Sequence, residues 1–336
     1  MRIRILGAGV AGLTVAYEFA RAGQHVDVLE SREGPGLGCS YLAGGMLAPW
    51  CEAESAEQLI FDLGVESLKF WTKTVPVAME RGSLVVATAR DRPELTQFSR
   101  RTSGFEKIGA EKIAALEPDL EGRFDEALFF PQEAHLDPRR AMTTLAAELT
   151  GFDKVTLRYG VDAKLAPGTA DWTIDCRGLA AQDALPDLRG VKGEMLVLAS
   201  GEIRLTRPVR FVHPRHPVYI VPRGDGHFMI GATMIENEEA GRITARAMLE
   251  LLGAAYGLHP AFAEAEIVET GAGVRPAFPD NLPRIRREGR RIYVNGLFRH
   301  GFLVAPALAR RVAQIVLEDA HFPEVMDANP RERQSA

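Results

Sequence analysis

The most constraining feature of this chain lies at its start. Ile3, Ile5 and Leu6 read as a short buried strand, GAGVAG follows at 7–12, and Leu13 to Ala22 carry apolar residues at helical spacing. Gly23 is a natural helix stop, and His25 to Glu30 read as a second strand. Two strands joined through a helix run parallel, which predicts an α/β sheet covered on both faces. Gly7, Gly9 and Gly12 stand in the order G-x-G-x-x-G, opening the helix directly after the strand. Gly7 permits the tight turn, Gly9 lets a pyrophosphate approach the backbone, and Gly12 permits close helix–strand packing. The phosphates would sit at the helix N-terminus, where free N–H groups and the dipole favour negative charge. Glu30 ends the second strand 18 residues after Gly12, placed to accept hydrogen bonds from an adenosine ribose. Strand, turn, helix and terminal acid agree on a dinucleotide site.

At 336 residues the chain is long enough for about two domains. Its 40 Lys and Arg against 45 Asp and Glu give a net charge of −5, which argues against a nucleic-acid partner. Cys39, Cys51 and Cys176 form neither a disulfide framework nor a zinc motif, and fit a reducing cytoplasm. No run reaches the roughly 20 apolar residues that span a bilayer, and no signal peptide precedes the first strand. The expectation is a cytoplasmic protein with no membrane association.

After the first unit the regular alternation ends. Residues 34–54 are rich in Gly, Ala and Pro, too broken for a long element and too apolar for a solvated loop. Helical spacing returns from Ala56 to Val75, and Asp137-Pro138 predicts an N-cap followed by N1 of a further helix. Strand-like runs then cluster at 84–88, 127–131, 153–159, 172–176, 193–199, 208–213, 217–222, 227–232, 265–272 and 291–296. Gly224-Asp225-Gly226 reads as a hairpin turn, with helices expected at about 242–257 and 304–318. This pattern predicts a Rossmann-like dinucleotide domain assembled from 1–75, 137–180 and 271–326. A substrate domain on an antiparallel sheet takes 76–136 and 181–270, and 327–336 form a polar tail.

Six segments carry a family resemblance: CSYLAGGMLAPWCEAE (39–54), FFPQEAHLDPRR (129–140), VKGEMLVL (191–198), VYIVPR with GATM (218–234), GAGVRPAFPDNLP (271–283) and GLFRHGFLVAPA (296–307). In this order, behind the glycine fingerprint, they resemble the D-amino-acid oxidase family of FAD-dependent oxidoreductases. The form AGGMLAP is nearest to the glycine oxidases of thiamine biosynthesis. The resemblance implies FAD, with Val10 and Ala11 at the pyrophosphate and Glu30 with Ser31 at the ribose. Cys39 and Ser40 would lie along the cofactor, with Gly44, Gly45 and Met46 beside the isoalloxazine and the Val161 backbone at the adenine. Leu297, Phe298, Arg299, His300, Gly301, Phe302 and Leu303 would wrap the pyrimidine end. Two glycines at 44–45 also make physical sense, because residues without bulk let a backbone lie against a flat ring. A helix start near 304, with Pro306 in its first turn, would stabilise negative charge on a reduced flavin.

Arg275 and Arg299 are bracketed by apolar and small residues, so each is either an internal ion-pair partner or reaches into a cleft. The resemblance favours Arg275 as the main clamp on a substrate carboxylate, because a planar guanidinium can hold one bidentately. Arg299 would be a second contact, through its backbone carbonyl to the amine. Tyr219 would donate its hydroxyl to the carboxylate and Met234 would line the pocket. On residues alone these two read equally well as a strand aromatic and a core methionine.

The implied reaction takes a hydride from Cα of glycine or another small amino acid to flavin N5. Imine, then keto acid and ammonia, follow, with hydrogen peroxide from oxygen. No side chain is expected to act as base, so catalysis would rest on orientation and electrostatics. A D-amino-acid oxidase or dehydrogenase, a sarcosine-type amine oxidase, a nicotinamide dehydrogenase and a non-catalytic flavin-bound subunit remain alternatives. The chain departs from the family at Leu297, usually His, at His300, usually Asn, and at Cys39, usually a hydroxyl residue. Arg284-Ile285-Arg286 replace a usual Gly. Arg284, Arg286, Arg287, Arg290 and Arg291 read as a solvated loop before a strand, and His213 and His216 lack metal-ligand spacing. A homo-oligomer is possible on family grounds.

Overall fold

A computed structural model describes residues 1–162, 169–213 and 217–326. His216 and the polar tail lie outside the described residues.

Two sheets organise the chain. The first has six strands in the spatial order 284–288, 291–295, 172–175, 2–6, 25–29 and 155–158. Its strands run parallel apart from the 284–288/291–295 hairpin. Residues 2–6 therefore sit at the centre, and one face is apolar, with Ile3, Ile5, Val26, Val28 and Ile174 essentially inaccessible, while the other carries Arg4, Asp27 and Asp175 beside Leu6 and Leu29. The helix Val10–Arg21 packs against the C-terminal helix Gly301–Glu318, and both belong to the core of this half.

The second sheet has eight strands in the order 266–277, 189–199, 227–231, 218–224, 209–211, 83–86, 126–130 and 106–109. All neighbours are antiparallel except 209–211 with 83–86. The helix Ala245–Leu258 contributes Leu251, Ala254, Ala255 and Leu258 to the core beneath this sheet. The expected hairpin through Gly224-Asp225-Gly226 is present, with all three residues at positive φ. Asp137 caps the helix Pro138–Thr150, accepting hydrogen bonds from the N–H groups of Arg139 and Arg140.

Three expectations need correction. The strand expected at 265–272 runs from Glu266 to Ala277, so the second sheet extends to residue 277. The arginine run is no solvated loop: Arg284–Glu288 is a strand, and Arg284, Arg286 and Arg287 pair with Asp280, Asp187 and Asp319. Charge density hid the strand, because acids distant in sequence neutralise it. The last helix starts at Gly301 rather than about 304, which puts Pro306 inside it. Proline cannot donate to the carbonyl four residues back. That carbonyl, Phe302 O, instead accepts the buried Trp71 indole N–H at 2.8 Å, so the helix continues without an orphaned acceptor.

Candidate active site

The two sheets meet around one cavity of about 780 Å³, within the roughly 300–1,000 Å³ usual for ligand sites. The turn at 7–12 forms one end. Gly7 has φ +95°, and a Cβ there would lie 2.7 Å from Cys176 O. A Cβ at Gly12 would lie 1.9 Å from Gly7 O, so helix and turn touch backbone to backbone. At Gly9 a Cβ would meet only Ser40 Oγ, at 3.4 Å, and its other surroundings are cavity. Ser40 Oγ accepts the Val10 N–H at 3.1 Å. The Glu30 carboxylate is aimed from both sides, accepting the N–H groups of Ala8 at 2.7 Å and Arg32 at 3.0 Å. Ser31 donates to it at 3.2 Å. Val161 lines the same end, but its N–H is spent on Glu30 O at 2.9 Å, which leaves its carbonyl for a ligand.

Residues 176–180 also line this end, and the sequence reading passed over them. They follow the strand 172–175, a parallel neighbour of 2–6, and carboxyl ends of adjacent parallel strands are where such sheets bind ligands. That rule could have found them.

The other end is built mainly from the second sheet. Arg210 lies opposite Tyr219 on neighbouring strands, and Tyr219 lies opposite Gly231. Arg275 lies on the edge strand, two places along from Gly193 in the cross-strand register. Small residues give the long ones room. A Cβ at Gly193 would lie 2.2 Å from Arg275 Nη2, and one at Gly44 would lie 2.6 Å from the Tyr219 ring. The reason for two glycines at 44–45 is thus not a ligand's flat face alone. Tyr219 forbids bulk at 44, and at 45 a positive φ and Leu136 O, 2.1 Å from a would-be Cβ, do the same. Cys39, Met46 and the first turn of the C-terminal helix complete the wall. The N–H groups of that turn have no partner inside the helix. Two helix N-termini therefore open onto one cavity.

Arg275 donates to Thr233 O at 3.2 Å and has no carboxylate partner among the described residues. Burial lowers its pKa and raises that of the Tyr219 hydroxyl, which stays protonated as a donor. Arg299 differs. Its guanidinium is held by Glu52 at 2.8 Å and Ser55 at 2.9 Å, so its side chain is committed to an internal ion pair. Glu52 also contacts His300 Nε2 at 2.9 Å and Arg210 at 3.3 Å. Burial alone would raise its pKa, but Arg299, His300 and Arg210 outweigh that and hold the carboxyl well below its usual range. Met234 lines the cavity yet is 60% exposed, so it stands at the mouth rather than in a core. Glu52 and Arg210 were not singled out from sequence, because nothing local marks a carboxylate shared between chain-distant arginines.

Behind Glu52, the buried Glu133 accepts the Cys51 N–H at 2.7 Å. Burial pushes its carboxyl from 4.5 up to about 7. The unfolded chain loses this proton near pH 4.5 and the folded protein near 7, so stability falls as pH rises between those values. The full loss is about 3 kcal/mol. Over that interval the urea midpoint of the native sequence should lose ground relative to Glu133→Gln, since the buried His135, whose pKa burial lowers to about 4, contributes the opposite slope to both proteins; parallel profiles would place the Glu133 proton elsewhere.

Two helix starts, the Glu30 carboxylate and the half-buried Arg275 open onto one cavity, a site that fits a dinucleotide-dependent oxidoreductase. Comparison with known proteins specifies the group. The family described as FAD dependent oxidoreductase (DAO) matches residues 2–315. The chain is 55% identical over 325 residues to a thiamine biosynthesis oxidoreductase ThiO of Rhizobium etli, covering 96% of this chain and 99% of that one. It is 27% identical over 369 residues to a glycine oxidase of Bacillus licheniformis, covering 99% and 97%. The crystal structure of a glycine oxidase from Geobacillus kaustophilus shares the fold, with TM-score 0.79, 21% identity and 96% of each chain covered. The chain belongs to the DAO family of FAD-dependent oxidoreductases. FAD is its cofactor, and the open space over Gly9, the aimed Glu30 and the two helix starts fit that molecule. No helix among the described residues is long and apolar enough to cross a membrane, and no group of acids, His and Cys there could hold a metal.

Proposed function

We propose that this enzyme oxidises glycine or another small amino acid at Cα. The products are an imine, or the keto acid and ammonia it hydrolyses to, and hydrogen peroxide. The observation that carries the reading is Arg275, a half-buried guanidinium facing the cavity beside a protonated Tyr219, with no acid among the described residues to neutralise it. A ligand carboxylate supplies what the protein withholds, and the planar fork fixes its orientation. FAD, when bound, would supply the two-electron acceptor, with oxygen as the final oxidant.

The chain's own residues do the rest. The backbone of 7–12 and Glu30 with Ser31 hold the adenosine diphosphate half, while Cys39, Ser40, Gly44 to Met46 and Leu297 to Leu303 enclose the ring end. Arg275 and Tyr219 fix the carboxylate, Met234 borders the entrance, and the Arg299 carbonyl is the acceptor for the amine. No side chain is assigned as a base. Glu52 is ionised but already shared among Arg299, Arg210 and His300. Rate enhancement rests on alignment, and the helix start at Gly301 favours negative charge developing near it. The ThiO relative supports a place in thiamine, specifically thiazole, formation, and the three unpaired cysteines suit a cytoplasmic enzyme.

Anaerobic visible spectra of the purified yellow protein test this reading. Glycine, sarcosine, D-alanine and D-proline are added in turn, with peroxide measured afterwards in air. Bleaching by glycine and peroxide release are expected. Bleaching only by D-alanine or D-proline moves the enzyme to the D-amino-acid oxidases, and no bleaching by any of the four ends the proposal.

A further inference from the structure

Glu194 is fully buried and is not part of the cavity wall. It nevertheless spends its backbone and both carboxylate oxygens on two residues of the stretch 232–244, between the strand ending at Gly231 and the helix starting at Ala245. Its N–H donates to Thr233 Oγ1 at 2.9 Å, and its carbonyl accepts the Thr233 N–H at 3.1 Å. Its Oε2 accepts the Thr233 hydroxyl at 3.1 Å, while Oε1 accepts the Thr244 N–H at 2.8 Å and pairs with Lys192 at 3.1 Å. Thr233 is thereby held at three points, and its carbonyl is the acceptor that orients Arg275.

The remaining donors of Arg275 have no anchor of their own among the described residues. Gly193, between Lys192 and Glu194, leaves the space in which the guanidinium lies. One tripeptide therefore makes room for the cation and fixes the carbonyl that aims it. A guanidinium aimed by a single carbonyl points wherever that carbonyl is held. The stretch 232–244 contains no regular strand or helix; besides the bonds to Glu194, its backbone is anchored near Thr233 by a bridge between Ile235 and Lys192, which leaves the Thr233 side chain to Glu194.

We propose that Glu194 is the positioning residue of the carboxylate clamp, acting on Arg275 through Thr233. This inference rests on the reading that Arg275 binds the substrate carboxylate. Because Glu194 acts by geometry, an isosteric amide preserves most of its effect: the Thr hydroxyls can turn and accept from a Gln NH₂, since a hydroxyl both donates and accepts.

The test uses the FAD-loaded enzyme, titrated calorimetrically with acetate, a glycine analogue lacking the amine, alongside steady-state kinetics with glycine. Glu194→Ala and Thr233→Val are each expected to weaken acetate about tenfold, the scale of one lost hydrogen bond. The double variant should be no weaker than the poorer single one, as for residues acting in one chain. KM should rise in each while kcat falls far less, and Glu194→Gln should stay within about threefold of the native enzyme. Thr233→Val carries the test if Glu194→Ala does not fold. Arg275→Met separates the two readings. If it abolishes acetate binding while Thr233→Val and Glu194→Ala bind normally, the positioning role alone is overturned. If Arg275→Met binds acetate normally, the clamp and its positioning fall together.

Discussion

Replacing Arg275 by Met is expected to lower kcat/KM for glycine by about 10²- to 5 × 10³-fold while raising the thermal midpoint of the ligand-free protein. The first effect follows from removing one partner of a desolvated charge pair, which costs about 3–5 kcal/mol in the complex. The second follows from the absence of an acid partner for this guanidinium among the described residues, its protein contact being the carbonyl of Thr233. Burial penalises a cation in that setting, as the downward shift of its pKa reflects. A methionine of similar length removes that penalty and fills the same space. The native residue is thus a stability cost retained for binding. Arg275→Lys should fall between, keeping the charge without the planar fork. Kinetics and melting curves on one preparation check both effects. A large loss of kcat/KM accompanied by a lower midpoint would make Arg275 a structural ion-pair residue.

How far such a site can be read from sequence depends on how local its causes are. The turn at 7–12 was legible because its glycine spacing is written in six successive residues between a strand pattern and a helix pattern, although Gly7 and Gly9 face Cys176 and Ser40 from outside that unit. Asp137-Pro138 was legible because capping is settled within the successive residues 137–140. Pro306 was misread because the group that makes it tolerable, the Trp71 indole, reaches the Phe302 carbonyl from 231 positions away along the chain. The arginines at 284–291 were misread for the same reason: Asp187 and Asp319 neutralise them from distant segments. For Arg299, composition left two readings open, and Glu52 at 2.8 Å commits its side chain to the internal one. The missed residues Glu194, Thr233, Gly193 and Arg210 share one property. Each matters through a partner distant in the chain: Glu194 through Thr233, Gly193 through Arg275 and Arg210 through Glu52.

Gly193→Ala is the sharper test of the substrate end, because it separates function from stability at one position. A Cβ there would lie 2.2–2.3 Å from Nη2, Cζ and Nη1 of Arg275. These atoms end a flexible side chain, so the guanidinium swings away and the backbone stays. Position 193 has no positive φ, and Ala at a compatible site stabilises by about 0.4–1 kcal/mol through the unfolded chain. The melting midpoint should therefore hold or rise, and FAD should remain bound. A reactant displaced by about 1 Å can lose on the order of 10²-fold in rate, and kcat/KM for glycine should fall by that much. Gly12→Ala is the opposing control. Its Cβ would meet the Gly7 carbonyl at 1.9 Å, and a backbone atom cannot step aside, so that variant should lose cofactor and fold together. A Gly193→Ala enzyme with native kcat/KM would mean that Arg275 does not bind substrate from the place it occupies over Gly193.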